Sequence, residues 1–148
     1  MKKIKLLLSF LVMFSTISVF GQEKTAVIND FVKAVFIENK SAQFIADQYI
    51  YFEPATDSKV SIAERINFIE MLLSNLRTEK SKAFDPSNFQ IVNYNDFRGD
   101  KVKFLHETND SYIVITKNFP LIYIYLKENK IFSFNYVLKG GEALFITY

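Results

Sequence analysis

Cysteine and tryptophan are absent from this sequence, histidine occurs once, and only four glycines and three prolines are present. Without cysteine there can be no disulfide, no thiolate metal ligand, no cysteine nucleophile and no lipid-bearing cysteine behind the N-terminal apolar run. One histidine cannot supply the paired-histidine zinc motifs. The scattered glycines form neither a phosphate-cradling loop nor a Gly-x-Ser-x-Gly nucleophile elbow. A basic excess is missing too. Of 18 Lys and Arg residues, three are Lys2, Lys3 and Lys5, so from residue 22 onward 15 basic residues stand against 16 acidic ones. The overall pI of 8.7 therefore comes from the N-terminus, and the rest of the chain has no charge surplus for nucleic acid.

What the N-terminus does contain is a basic start followed by an apolar run from Leu6 to Phe20, interrupted only by Ser and Thr. This is the layout of a signal peptide. The run is shorter than the ~20 residues of a spanning helix, and Val19-Phe20-Gly21 offers a cleavage site before Gln22. The expectation is an exported protein, periplasmic or secreted, with residues 1–21 removed and no membrane span left. Residues 22–148 suit one domain with one core.

In that part, Val27, Ile28, Phe31, Val32, Val35 and Phe36 recur at helical spacing within Thr25 to Lys40. Ser41 can cap a second, short helix through Ala42, Ile45, Ala46 and Tyr49, which must stop before Pro54; Ala55 to Lys59 reads as a loop. Ser61-Ile62-Ala63-Glu64 is a capping box, in which the Ser oxygen and the Glu carboxylate each satisfy a free N–H at a helix start. Behind it Ile62, Ile66, Ile69, Leu73 and Leu76 form an apolar stripe.

From Phe89 the period becomes strand-like. Six runs follow: Phe89 to Tyr94, Lys101 to Glu107, Tyr112 to Lys117, Leu121 to Leu126, Ile131 to Leu138 and Ala143 to Tyr148. Their short intervals permit hairpins and leave no room for helical crossovers, so the sheet should be antiparallel. Helices first and a meander afterwards predict an α+β domain, with N-terminal helices packed on the sheet. Asn93 to Asp100 looks like a calcium loop, but Phe97 occupies a position that needs an oxygen ligand. No metal or cofactor site is expected.

With Glu128 and Asn129 at a hairpin tip, Tyr125 would face Phe132, Tyr123 would face Phe134, and Leu121 would face Tyr136. One side would then carry Tyr123, Tyr125, Phe132, Phe134 and Tyr136, and these five are the candidate ligand-binding residues. A buried phenol needs a partner for its hydroxyl, which Phe would not; three Tyr on one face therefore suggest a partly wet wall, a pocket or an interface. A second hairpin, with Asn109-Asp110 at its tip, would set His106 on an apolar face beside Ile113 and Ile115. His106 is the one side chain suited to acid or base work near neutral pH, although a histidine with a satisfied core hydrogen bond is the commoner case.

A helix, a short helix, a capped amphipathic helix and a long meander ending in aromatic strands together resemble the nuclear transport factor 2-like superfamily, which includes SnoaL-like and ketosteroid-isomerase-like proteins. The resemblance spans residues 22–148 and implies a bent, cone-like sheet around an apolar pocket, with its mouth near Asp47, Glu53 and Asp57. A cystatin-like sheet is the alternative, since six runs follow the last helix. Superfamily members include isomerases, hydrolases and non-catalytic binding and dimerisation modules, so fold does not choose among functions. Isomerase relatives use a pocket Asp base with Tyr or acid donors, a pattern that does not map onto this sequence. Two functions follow as expectations. The first is an exported non-catalytic module that holds an apolar small molecule or a protein partner, including a second copy of itself, on the aromatic face. The second is a small pocket enzyme of isomerase or hydrolase type using His106 with a nearby carboxylate.

Overall fold

The computed structural model describes residues 22–54 and 60–148. The expected signal peptide and the loop from Ala55 to Lys59, with Asp57, lie outside the described residues. Helix α1 covers residues 22–36. It ends where Asn39 takes a positive φ of 50° and Lys40 N–H donates back to the Ala34 carbonyl, a left-handed cap that Asn tolerates. Ser41 then caps α2, Ala42–Tyr49, by accepting from Phe44 N–H. In α3, Ile62–Lys80, the capping box is complete: Ser61 accepts from Glu64 N–H, and the Glu64 carboxylate accepts from Ser61 N–H. These bonds hold the Glu64 carboxyl below its usual range. Arg77 of α3 donates to the carbonyls of Val35 and Lys40 at 3.0 and 2.7 Å, which ties α3 to the end of α1 and satisfies carbonyls that the helix leaves open.

Four strands form an antiparallel meander in the order β1-β2-β3-β4: Phe89–Asn93, Ser111–Thr116, Phe119–Lys127 and Lys130–Ser133. A separate pair, β5 Tyr136–Lys139 and β6 Glu142–Phe145, completes the α+β domain. The β2–β3, β3–β4 and β5–β6 hairpins turn on two residues each with positive φ, Lys117-Asn118, Glu128-Asn129 and Gly140-Gly141. That geometry matches the right-handed strand twist. The Glu128-Asn129 tip is therefore where the sequence places it.

Three expectations need correction. Residues 101–107 are not a strand; only Phe104 makes a bridge, parallel to Ala143. The run Ile131 to Leu138 is broken by a bend at Phe134, so the meander divides into two sheets. Ile62, expected in the core stripe, is 57% exposed, while Leu72 joins Ile69 and Leu73 inside.

The core is split by the sheet. One layer lies between helices and sheet: Ile28, Phe31, Val32 and Val35 of α1, Ile45 of α2 and Ile69 and Leu73 of α3 meet Val114, Ile122, Ile124, Leu126 and Ile131. The other layer lies on the far side: Tyr94, Phe104, Ile113, Ile115, Tyr123 and Ala143. Burial of each large apolar side chain contributes ~1.5–3 kcal/mol.

Candidate functional site

Two bulges decide which side chains share a face. In β2–β3 pairing Val114 is opposite Ile122 and Ile115 is opposite Pro120, so Leu121 is the extra residue. It joins Ile122 on the helix side. In β3–β4 pairing Leu126 is opposite Ile131 but Tyr125 is opposite Ser133, so Phe132 is the extra residue. A one-residue insertion reverses the alternation beyond it. Phe134 is thereby sent to the helix side, where its ring lies 5.4 Å from Phe31. This corrects the expected face: Phe134 does not sit with Tyr123 and Tyr125.

On the outer face the tyrosines are tied to the chain that covers them. Tyr94 Oη donates to the Val102 carbonyl at 2.8 Å, and Val102 N–H donates to Tyr123 Oη at 2.9 Å. Tyr123 is only 6% exposed, and burial pushes its phenol, like that of Tyr94, up from the ordinary value. Phe104 lies at the centre, stacked on Phe145 at 4.2 Å and 5.5 Å from Tyr123. Lys101 closes the cover by donating to the Tyr94 and Phe97 carbonyls. Tyr123 thus forms part of an internal layer, where its hydroxyl meets backbone instead of water.

His106 packs against this layer, with ring centroids 5.6 Å from Phe104, 5.6 Å from Tyr125 and 5.1 Å from Phe145. The placement beside Ile113 and Ile115 in a hairpin is corrected, since the segment is held by Leu105 N–H on the Ala143 carbonyl and not by β2. Among the described residues its Nε2 is buried without a hydrogen-bond partner, so no carboxylate bonds that nitrogen to form an acid–base pair. Ser111 Oγ, opposite Tyr125 on β2, is likewise buried and unpartnered. Tyr125 and Phe132 lie 5.7 Å apart at the far end of the layer, where Lys127 Nζ sits 5.0 Å from both the Tyr51 and the Phe132 rings.

The other three candidate residues meet at an opening. Tyr123, Phe134 and Tyr136 line a cleft of about 460 Å³ together with Pro120, Leu121, Ile122, Asn135 and Leu138, and Asn75, Leu76, Glu79 and Lys80 of α3 form its other wall. The cleft exists because β3 is nine residues long while β4 is four. β4 pairs with β3 only from Tyr125 to Lys127 and then bends away into β5. Among the described residues no strand pairs with the rest of that edge of β3. Phe119 and Leu138, 72% and 68% exposed, stand at this end of the molecule. No sequence signal announces the cleft, because strand length does not predict where a bulge ends the pairing.

A second pocket, about 500 Å³, lies between α2, the start of α3 and the β3–β4 hairpin, with Ala46, Ile50, Phe52, Ile62 and Ile66 as its apolar wall and Asp47, Glu128 and Lys130 at its rim. Asp47 is thus at a pocket mouth, whereas Glu53 is paired with Lys127. Among the described residues no cluster of His, Asp or Glu can hold a metal ion, and no helix is long and apolar enough to cross a membrane. No family model, curated protein or solved structure matches the chain.

Proposed function

We propose that the chain is exported as residues 22–148 and acts as a non-catalytic binding module whose site is the cleft on the open edge of β3, walled by Tyr123, Phe134 and Tyr136. The observation that carries this reading is that Tyr123, Phe134 and Tyr136 line one opening beside a strand edge that has no partner among the described residues. The cleft falls in the size range of ligand sites. His106 packs among Phe104, Tyr125 and Phe145 and is not one of the residues that line the cleft, which favours binding over acid–base chemistry there. The same reading keeps the nuclear transport factor 2-like kinship, which the order of three helices followed by an antiparallel meander supports. Native mass spectrometry of the protein purified from its own host is the test. A mass above that of the 22–148 chain, lost in Leu138→Asp, is expected. A bare chain in every preparation, or an added mass that Leu138→Asp leaves in place, overturns the proposed site.

A further inference from the structure

We infer that the occupant of this cleft is an extended segment of another polypeptide, which adds as a strand between β3 and β5 and joins the two sheets. The inference rests on the binding reading above and specifies its partner.

In an antiparallel ladder, successive residues turn their N–H and C=O to opposite neighbours. Leu126 N–H donates to the Asp110 carbonyl on the β2 side, so Ile124 also faces β2, while Tyr123 and Tyr125 face the other way. Tyr125 meets β4. Tyr123 meets nothing: its N–H and C=O have no partner among the described residues. β5 supplies the opposite edge. Among the described residues it pairs only with β6, and the Gly140-Gly141 turn makes Lys139 and Val137 the residues that bond to β6. Tyr136 and Leu138 therefore turn their backbone away from β6, and these two are the β5 residues that line the cleft. The Tyr136 N–H is taken by Asn135 Oδ1 at 2.8 Å. The Tyr136 carbonyl and both backbone groups of Leu138 have no partner among the described residues.

Exposed strand edges are usually blunted by charge, proline or a bulge. Here Pro120 and the bulge at Leu121 blunt one end, yet from Leu121 to Ile124 the edge has no charged residue. Donors and acceptors on two edges across one cleft match the main chain of an extended peptide, whose own groups alternate in the same way. Its side chains would alternate between the Tyr123 and Tyr136 rings on one side and Leu76 and Phe134 on the other.

Short random peptides displayed on phage and selected on the purified chain provide the probe. The best binder should slow amide exchange at Tyr123 and Leu138 by at least about tenfold and leave Ile122 and Val137 unchanged. N-methylation of its alternate residues should abolish binding in one phase and spare it in the other. A peptide that Leu138→Asp rejects, but that leaves the Tyr123 and Leu138 amides unchanged, overturns strand addition while the cleft reading stands. A small molecule in the cleft with no peptide selected does the same. Protection that grows with protein concentration and without peptide makes a second copy the partner and overturns the assignment to another polypeptide. No occupant of any kind overturns both readings.

Discussion

On the helix-facing side of the four-stranded sheet, Val114, Ile122, Ile124, Leu126 and Ile131 meet aliphatic residues of all three helices; on the opposite side Tyr94, Phe104, Tyr123 and Phe145 meet a loop and a hairpin. The first layer is mainly aliphatic, with Tyr112 buried in it and Tyr148 packed against it as acceptor from Phe134 N–H, so most of its stability comes from burial and close packing. The second must find partners for its phenols, and it finds them in the backbone of Val102. A helix brings its own hydrogen bonds to the sheet, whereas an irregular loop needs outside partners for its backbone. Where the loop covers the sheet, the hydroxyls of Tyr94 and Tyr123 supply those partners.

The largest expected effect falls on the helix side. Phe31→Ala or Ile124→Ala should lower the free energy of unfolding by ~2–5 kcal/mol, measured by urea denaturation. Next is Tyr123→Phe, which leaves the Val102 N–H buried without its acceptor and should cost ~1–3 kcal/mol. Hydrogen exchange should place that loss in residues 94–104 first. An effect spread evenly over α1 and α3 would break the distinction between the layers. Ser61→Ala removes one half of the capping box and should cost ~1 kcal/mol. Tyr125→Phe should fall within ~0.5 kcal/mol of the parent, because its hydroxyl makes no hydrogen bond among the described residues. Glu64 supplies a dependence on acid. Its carboxyl is held below its ordinary value of 4.5, so its contribution is present above that value and disappears as pH falls through the lower, folded one. Glu64→Gln should flatten that limb of a pH–stability curve, and an unchanged limb would mean that the capping box is open in solution.

The local features were legible. Ser41, the Ser61–Glu64 box and the Glu128-Asn129 tip each depend on residues no more than a few positions apart, and each stands where the sequence puts it. The sides of β3 could not be read, because the extra residues at Leu121 and Phe132 leave no mark in an apolar run of this kind. Phe134 was misplaced for that reason. Residues 101–107 alternate like a strand, with Val102, Phe104 and His106 in step, but Tyr hydroxyls and β6 take up backbone groups that a strand would have offered to β2. Of the candidate wall, Tyr123 and Tyr136 do lie together, their rings 5.7 Å apart. The cleft beside them arises from where β4 leaves β3, a long-range event that no short window of sequence encodes.

The central claim is that β3 has an open edge at Tyr123, and residue-resolved amide exchange of the free protein tests it most directly. Ile122 and Ile124, bonded to β2, should exchange slowly, while Tyr123 between them should exchange at least about tenfold faster despite its buried side chain. A Tyr123 amide as slow as its two neighbours would mean that the edge is already paired, and would contradict the account.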